Sequence, residues 1–464
     1  MSFSVNHAWA ISNSELEFYK DIIEINNDFI VKEVIVWENS NIVVNGSIFI
    51  YPNGSLIIRN CEVKIIESYN GEHWIEVSES GSLIIINSKL YSYNPYYHFN
   101  SFMRVNAGAR LVIRSSEISG MGIRRSTLDK SGIYINTNNV SISESYFHDN
   151  NVGLIIINAT SIDIIDNTFH DCGIYIINGS DISIDNNTFI HGVVEAYLNE
   201  CAIRNNYFSN SSLLLSGANT YLASNYFDES ALRIFSARNF TVSENVFIFD
   251  NYEWWGLTIG FSNSISVNDS RIYGSRGVNI HDSRNITLFN NILAKTNRGL
   301  FIENSSSIIA MYNVFLRNQI GLCLDEYTSQ STFIMNDLVG NTISAIDKGS
   351  NQFSNESIGN YWSDYNGSDA NNDGIGDSPY YVDNDSIDER PLMTPIRYEN
   401  ISPTLISMDR KPIAPLEGQE VLIKVSAIDN SEILFVILSY YDGHEWINVT
   451  MSYDAKQDLF TAKI

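Results

Sequence analysis

One acidic stretch of the chain has the residue spacing of a calcium-binding loop. Positions 1, 3, 5, 7 and 9 of such a loop are Asp369, Asn371, Asp373, Ile375 and Asp377. Four of these residues would offer side-chain oxygens, Ile375 would offer its backbone carbonyl, and Gly374 at position 6 permits the sharp turn. Position 12, where calcium loops carry a bidentate Glu, is Tyr380, so Asp383 or Asp388 would have to replace that ligand. We predict a low-affinity calcium site; the alternative is an acidic turn without a metal.

Histidine and aspartate recur at matching places in successive repeats of the chain. His148-Asp149 and His170-Asp171 occupy the same two places in adjacent repeats, and His191 lies close by in the next. If stacking brings these groups within about 5–7 Å, imidazole and carboxylate together would form a metal site or an acid–base group. The pattern ends with Ser209 and Asp228. Solvated corner residues without a function are the simpler interpretation.

Trp254 and Trp255 lie in a repeat of 25 residues, which is longer than its neighbours. Exposed aromatic side chains can stack on sugar rings because they combine a large apolar face with a polar edge. The same side chains would equally serve to pack a longer loop against the protein. The pair is therefore a candidate glycan-binding element.

Enzymes that act on polysaccharides need characteristic side-chain groups. Hydrolases use paired carboxylates, lyases a basic residue beside metal-bound acids, and epimerases a His–Asp–Tyr group. Asp163, Asp185 and Arg204 face outward in successive repeats, but no such triad recurs on one face. A carbohydrate-active enzyme is therefore the alternative to a non-catalytic protein.

A pattern that recurs thirteen times must position all these residues. It reads apolar, any, apolar, two polar positions, Asn or Ser, any, apolar, at intervals of 19 to 29 residues. Its last apolar position is Val63, Leu90, Ile118, Phe147, Phe169, Phe189, Phe208, Phe227, Phe247, Ile272, Leu293, Phe315 and Leu338. Units of this length bury their apolar face only by stacking on their neighbours.

Three further columns of the repeat define its geometry. Five and seven residues before the last apolar position, mostly apolar residues alternate with polar ones, which predicts a strand with one buried face. Two residues before it stand eight Asn, four Ser and one Cys. We expect these side chains to hydrogen-bond as a ladder, and Asn to adopt the left-handed backbone of a corner. Gly followed by alternating apolar residues, as at Gly153 and Gly299, indicates a second strand.

The stacked strands predict an all-β protein, a parallel β-helix of about 13–14 coils over residues 35–365. No proline occurs from residue 96 to 378, as expected where backbone N–H groups donate to the next coil. Residues 1–34 are predicted to form a cap, with a short amphipathic helix at Ser14–Ile25. We expect the loops of the first coils, or the N-terminal segment, to fold over the outer face; the aromatic residues of these loops are Tyr69, Trp74, Tyr93, Tyr96, Tyr97 and Phe99.

The C-terminal part of the chain divides into two further segments. A last copy of the motif ends in Trp362, which is predicted to cover the bottom of the stack. Residues 366–398 form the acidic closing segment. Residues 399–464 predict a partial immunoglobulin-like β-sandwich, with strands at 420–427, 433–440, 445–451 and 459–464 and about 60 of the usual about 100 residues. We expect the natural protein to continue beyond Ile464, and no signal peptide is visible after Met1.

Composition excludes several functional classes. The formal charge of −26, from 54 acidic and 28 basic side chains, disfavours nucleic acid and anionic lipid as partners. No apolar run reaches the length of about 18 residues that a membrane span needs. The four cysteines have no paired spacing, so neither a disulfide framework nor a zinc site is expected. Sixteen Asn-x-Ser/Thr sequons fit a glycosylated, exported protein, although Asn, Ser and Thr are also common at β-helix corners.

The closing motif resembles a known family. Gly359–Tyr365, Asp373–Asp377, Pro379-Tyr380 and Arg390–Met393 together are similar to the end of NosD-type right-handed β-helix proteins, within the wider group of carbohydrate-binding and sugar-hydrolase β-helices. The resemblance covers residues 35–395, and the tail resembles immunoglobulin-like modules of prokaryotic, especially archaeal, surface proteins. The resemblance to NosD-type proteins implies a right-handed β-helix and periplasmic copper handling during nitrous oxide reductase maturation. Eight Met and eight His are scattered without a copper-binding motif, so we interpret the resemblance as one of scaffold.

These observations favour a non-catalytic extracellular or cell-surface β-helix protein with a structural, adhesive or glycan-binding role. Its expected partners are a polysaccharide or an envelope glycoprotein, its expected ion is calcium, and no organic cofactor is expected. A polysaccharide lyase, hydrolase or epimerase is the alternative function. A copper-handling maturation factor is the third.

Overall fold

The computed structural model describes residues 21–250, 253–397, 403–411, 419–428, 433, 436–441, 445–454 and 459–464. Most of this chain is one parallel β-helix with three strand-bearing faces per coil, so the predicted fold class is confirmed. Among the described residues the helical content is a single 3-10 turn at Leu128–Lys130. No helix in this part of the chain is long and apolar enough to cross a membrane.

The first face is a sheet of 16 parallel strands, one from each coil. Its strands are Asp21–Ile25, Ser40–Val44, Glu62–Ile66, Lys89–Tyr93, Glu117–Ser119, Tyr146–His148, Thr168–His170, Thr188–Ile190, Tyr207–Ser209, Tyr226–Asp228, Val246–Ile248, Arg271–Tyr273, Ile292–Ala294, Val314–Leu316, Asp337–Val339 and Tyr361–Trp362. The structure thus has about 16 coils, two or three more than the sequence predicted.

The second and third faces share a sheet of 28 strands, and two long strands, Ile174–Asp185 and Ala231–Ser243, run across both faces. The other strands of the second face are Phe29–Val31, Ile48–Ile50, Ile75–Val77, Met103–Val105, Gly132–Ile135, Val152–Ile157, Val193–Asn199, Ser212–Ala218, Leu257–Gly260, Val278–His281, Arg298–Glu303, Ile320–Leu324 and Ile343–Asp347. Those of the third face are Val34–Glu38, Ser55–Arg59, Ser82–Ile86, Arg110–Arg114, Asn139–Ser143, Thr160–Ile165, Ala202–Arg204, Tyr221–Ala223, Asn263–Asn268, Arg284–Phe289, Ser306–Met311, Ser329–Ile334 and Ser350–Gln352.

The interior is a continuous pile of matching side chains. Phe169, Phe189 and Phe208 are completely buried, and their ring centroids are 5.1 and 4.9 Å apart with interplanar angles of 8°. Parallel pairing aligns Phe169 with Phe189 and Phe189 with Phe208. The prediction that equivalent residues lie directly over one another is confirmed.

The polar column inside the corner forms the predicted ladder. Asn187 Nδ2 donates to Asn206 Oδ1 at 3.1 Å, and Asn206 Nδ2 donates to Asn225 Oδ1 at 3.0 Å. The left-handed backbone, however, lies one residue before each ladder position, for example at Asn205 with φ 55° and at Glu244 with φ 56°. Assigning that conformation to the ladder Asn was therefore wrong, because a ladder side chain must point inward while its neighbour absorbs the turn.

The N-terminal boundary differs from the prediction. Asp21–Ile25 is a strand that pairs in parallel with Ser40–Val44, so the β-helix already includes residues assigned to the 1–34 cap. The predicted helix is wrong over 21–25, and its remaining residues lie outside the described chain. In the first coils Trp74 packs on Phe102, with centroids 5.6 Å apart. Tyr96 and Tyr97 are exposed, so the prediction is wrong for these two side chains. Residues 1–20 of the alternative cover, the N-terminal segment, lie outside the described chain.

The last coil is closed by the segment that follows it. Trp362 is buried, stacks on Tyr380 at 4.2 Å, and donates its indole N–H to Asp388 Oδ2 at 2.8 Å. Asp388 is completely buried, and burial raises the pKa of its carboxyl. The strands Tyr380–Tyr381 and Ile387–Asp388 pair antiparallel within this segment.

The described C-terminal strands form two small antiparallel sheets. One contains Thr404–Lys411, Leu422–Ile428, Leu459–Lys463 and Ser452–Asp454, in that spatial order, and the other pairs Ile437–Tyr441 with Trp446–Thr450. Four of these strands lie close to predicted positions, whereas Thr404–Lys411 and Ser452–Asp454 were not foreseen. The immunoglobulin-like classification stays a prediction.

Candidate functional site

The outer side of the second face carries two adjacent columns of functional side chains. Strand pairing aligns Asn279 with Phe301, and His281 with Glu303 two residues further along. Residues between them, such as Ile280, point into the core because side chains alternate along a strand. An open groove of about 700 Å³ runs along these columns and is lined by Asn279, His281, Asp282, Glu303, Asn304, Asp325 and Tyr327.

One end of this surface combines arginines with aromatic rings. Trp255 stacks on Phe301 with a centroid distance of 5.8 Å and an interplanar angle of 9°. Trp254 keeps 55% of its surface exposed. Three guanidinium groups lie over rings of this set, at Arg233–Trp254 (5.9 Å), Arg276–Trp255 (5.8 Å) and Arg298–Phe301 (4.3 Å).

None of these three arginines forms an ion pair with another residue of the described chain. The ion pairs of the described residues, with nitrogen and oxygen within 4.0 Å, include none of Arg233, Arg276 and Arg298. In a protein with a formal charge of −26, three cations without an ion-pair partner in the described chain concentrate positive charge on one patch. We call Arg233, Trp254, Trp255, Arg276, Arg298 and Phe301 the arginine–aromatic patch.

The other end of the surface is acidic. His281 Nδ1 lies 2.9 Å from Asp282 Oδ2, and the rings of Phe235 and Phe261 flank the imidazole at 5.8 and 5.2 Å. The hydrogen bond from His281, followed by one from Asn304, lowers the pKa of Asp282. This dyad has the components of a general acid–base group.

Asn279 lies between the two ends of this surface, and its amide oxygen accepts no hydrogen bond in the described structure. Its Oδ1 is sequestered from solvent and has no hydrogen-bond partner in the described structure. A buried polar atom without a partner is unfavourable, so it marks a place where a ligand donor would bind. Asn279 lines the groove and pairs with Phe301 of the patch.

The sequence prediction included Trp254 and Trp255 but missed the rest of this surface. Residues Asn279, His281, Phe301 and Glu303 alternate with apolar residues of the Gly-initiated strand, and that alternation was the available signal. The same Gly also indicates their alignment across coils, since Asn279 and Phe301 each lie two residues after it, at Gly277 and Gly299.

The predicted histidine cluster separates into two groups. His170 Nε2 lies 3.6 Å from one Asp171 oxygen, and His191 Nδ1 lies 3.4 Å from the other. One ligand atom from each of these three residues lies within 4.8 Å of the other two, so stacking does bring them together. His148 instead bonds to Asp149 at 2.8 Å and to Glu117 at 3.3 Å.

The coupled pair His148–Glu117 has shifted protonation equilibria. The hydrogen bond from His148, together with Lys89, lowers the pKa of Glu117 to about 2. The hydrogen bond to Glu117 in turn raises the pKa of His148. Each partner therefore favours the charged form of the other, and the pair joins two coils of the first face.

The predicted calcium loop is exposed, and its carboxylates bind its own backbone. Asp369 accepts N–H groups of Asp373 and Gly374 at 3.2 and 2.9 Å, and Asp377 accepts that of Ala370 at 2.8 Å. The calcium assignment stays a prediction. Neither proposed substitute for the twelfth ligand joins the loop, because Asp388 is buried against Trp362, and Asp383 Oδ1 accepts N–H groups of residues 385 and 386.

Comparison with known proteins shows which family this scaffold resembles. Residues 213–367 match the family model described as periplasmic copper-binding protein (NosD). This part of the chain is NosD-like. Residues 75–227 and 152–255 match the model for a right-handed β-helix region, so the predicted handedness is confirmed.

Two curated NosD proteins, each described as a probable ABC transporter binding protein, align with parts of the chain. The one from Stutzerimonas stutzeri is 36% identical over 93 residues, which are 20% of this chain and 21% of that protein. The one from Pseudomonas aeruginosa is 28% identical over 154 residues, which are 33% of this chain and 34% of that protein. The chain thus spans about a fifth to a third of the relatives it matches.

Solved structures with a similar fold are distant in sequence. The periplasmic alginate epimerase AlgG is 16% identical, with 68% of this chain and 76% of that chain covered and a TM-score of 0.36. A mannuronan C-5 epimerase A-module of Azotobacter vinelandii is 12% identical, with 64% and 90% covered and a TM-score of 0.40. The surface adhesin PfbA of Streptococcus pneumoniae is 12% identical, with 63% and 84% covered and a TM-score of 0.34. These likenesses concern the fold alone.

The residues of the NosD-like segment do not fit a copper centre. Within the described part of residues 213–367, no three His, Cys, Asp or Glu ligand atoms converge within 4.8 Å. Its cysteine, Cys323, has a thiol whose pKa is raised by burial, which disfavours the thiolate that soft metals bind. No three ligands of these residue types are thus assembled in the described part of this segment.

Proposed function

We propose that this protein is an exported or cell-surface β-helix protein that binds an acidic polysaccharide along its second face. The observation that carries the proposal is the arginine–aromatic patch, whose three guanidinium groups lie over aromatic rings without a carboxylate partner in the described chain. The periplasmic location printed for the NosD family and the sixteen sequons support export.

The patch combines the two contacts that an acidic sugar chain offers. A planar guanidinium matches a sugar carboxylate or sulfate with two parallel hydrogen bonds. An exposed ring such as Trp254 presents an apolar face to a sugar ring. Asn279 lines the groove next to the patch, where the next sugar unit would lie.

The remainder of the protein disfavours non-specific capture of polyanions. Its net charge of −26 repels them, so an acidic glycan that binds must do so where positive charge is concentrated. Long-range repulsion is screened at physiological salt, where the Debye length is about 8 Å. Affinity should therefore depend on the patch and not on overall charge.

A binding experiment with matched sugars tests the proposal. Oligogalacturonate and a neutral cello-oligosaccharide of equal length are titrated into the whole chain and followed by calorimetry. We expect binding of the acidic sugar, weakened about tenfold by Arg298→Gln or Trp254→Ala, which corresponds to about 1.4 kcal/mol.

The controls are Arg114→Gln and Trp446→Ala, because both residues are exposed and lie away from the patch. These variants should bind like the wild type. Equal binding of acidic and neutral sugars, or unchanged affinity in both patch variants, would show that the patch is not the binding site.

A carbohydrate-active enzyme is a second candidate, favoured by the His281–Asp282 dyad next to Glu303 in the same groove. A lyase would generate absorbance at 235 nm from the acidic oligosaccharide, a hydrolase would release reducing ends, and an epimerase would change the proton NMR spectrum of the sugar. Loss of any such activity in His281→Gln, with binding retained, would assign catalysis to the dyad.

Calcium binding at the exposed loop is a separate proposal. It rests on the spacing of Asp369, Asp373 and Asp377 and on the left-handed Gly374, with φ 85°. Millimolar calcium should release heat in calorimetry and raise the melting temperature, and Asp373→Asn should remove both effects. Absence of heat with the wild type would refute it.

A further inference from the structure

One turn of an N-terminal coil brings together three side chains that could each bind a metal ion. Glu67, Glu72 and His73 lie between the strands Glu62–Ile66 and Ile75–Val77 and each place one ligand atom within 4.8 Å of the others. Glu67 is completely buried, while Glu72 and His73 are half-buried. Neither the glycan surface nor the calcium loop includes these residues.

Glu67 is only half satisfied by the protein. Its Oε2 accepts the backbone N–H groups of Glu72 at 3.0 Å and His73 at 3.3 Å. Its Oε1 is sequestered and has no hydrogen-bond partner in the described structure. The described residues therefore do not satisfy this oxygen. A cation bound to Oε1 would do so.

His73 is oriented as metal-binding histidines are. Its Nδ1 lies 2.7 Å from the backbone oxygen of Ile66. A carbonyl oxygen can only accept, so Nδ1 carries the proton and the lone pair of Nε2 is left for a ligand. The Ser101 hydroxyl donates to the His73 carbonyl at 2.8 Å and holds this residue from the next coil.

We propose that Glu67, Glu72 and His73 bind one divalent transition-metal ion, for which Zn²⁺ is the probe. Two carboxylates and one neutral imidazole are a ligand set that zinc accepts, with water completing the coordination. The ion would fix the turn that carries Trp74, whose ring packs against Phe102 and Phe49 at 5.6 and 5.5 Å. Its role would be structural, and it is independent of glycan binding.

The second three-ligand group of the described chain, His170, Asp171 and His191, provides the matched comparison. Its side chains are 39 to 55% exposed, and none of its ligand atoms is a buried atom without a partner. A zinc ion held by that group would involve two imidazoles, whereas the proposed site involves one. Variants of each group therefore distinguish the two locations.

The test uses the whole chain after treatment with EDTA. Zn²⁺ is titrated by calorimetry and the melting temperature is recorded with and without the ion. We expect one ion per chain, a higher melting temperature, and affinity reduced about tenfold or more by Glu67→Gln or His73→Gln. His191→Gln should leave this binding unchanged.

His73→Gln keeps the test interpretable if Glu67→Gln fails to fold, because His73 is only half-buried. X-ray absorption of the zinc-loaded protein should show oxygen ligands and a single imidazole. No binding by the wild type, or binding lost in His191→Gln and retained in His73→Gln, would overturn the proposal.

Discussion

Single residues of the buried ladder contribute through hydrogen bonds that water cannot replace. Asn206 donates to Ile184 O at 2.9 Å and accepts the backbone N–H of Asn187 at 2.9 Å. Asn206→Ala would leave these groups buried and unpaired, so we expect the free energy of unfolding to fall by about 3 kcal/mol. Urea denaturation measures the change.

The same column supplies a control for this prediction. Ser270 occupies the ladder position in its own coil, where its Oγ accepts the N–H of Asn245 at 3.2 Å. Asn206→Ser should therefore destabilise the protein less than Asn206→Ala. Equal losses for the two variants would mean that packing, and not hydrogen bonding, determines the contribution of this column.

His148 links stability to pH. Because Glu117 raises the pKa of His148 above its ordinary 6.5, the folded protein holds a proton that the unfolded chain releases. This stabilisation is complete below about pH 6.5 and is lost as the pH rises through the raised pKa. Between about pH 6 and 9 the melting temperature should fall more in the wild type than in His148→Gln. His98→Gln, at an exposed position, should follow the wild type.

At the scale of elements, the closing segment depends on one buried carboxylate. Asp388 accepts the Trp362 indole N–H and the backbone N–H groups of Asn360 and Arg390, at 2.8, 2.8 and 2.9 Å. Asp388→Ala leaves three donors unpaired, and we expect a loss of about 3–5 kcal/mol in urea denaturation. Asp385→Ala, on the exposed side of the same turn, should change stability by less than about 0.5 kcal/mol. Similar losses in both variants would argue against this role for Asp388.

The strands of the first face could be predicted from the sequence, because every repeat carries an apolar residue at the same position of the motif. Phe147 and Phe169 share a position in the motif and stack at 4.8 Å in the structure. The strand Asp21–Ile25 was misread as part of a helix because its short apolar run fits either period. Its pairing with Ser40–Val44, a contact distant in sequence, decides the structure.

The candidate sites were harder to predict from the sequence, since they depend on which residues of neighbouring coils are aligned. The proximity of His170 and His191 was predicted correctly because they follow Phe169 and Phe189 of the stacked column by one and two residues. Asn279 and Phe301 were missed although each lies two residues after a Gly of the second strand, because the unpartnered oxygen of Asn279 is not visible in the sequence. The turn at Glu67 was missed because its significance lies in one buried oxygen, which no sequence pattern records.

At the scale of the whole molecule, the β-helix should tolerate loss of one complete coil. Deleting residues 207–225 joins Asn206 to Tyr226, so the sequence Asn-Tyr-Phe is restored at the junction. Phe227 would then stack on Phe189, and every column would keep its register. Because neighbouring coils contact only one another, we expect a folded protein with an unchanged circular dichroism spectrum per residue.

The denaturant dependence gives this deletion a quantitative readout. The m-value scales with the surface exposed on unfolding, so removal of one coil of sixteen should lower it by about one part in sixteen if the solenoid unfolds as a unit. Deleting residues 207–216 removes half a coil and joins Asn206 to Gly217, which places apolar residues on the outer faces. That variant should not fold. If both deletions behaved alike, stability would not depend on register along a single winding axis, and the column-by-column account of the sites would fail with it.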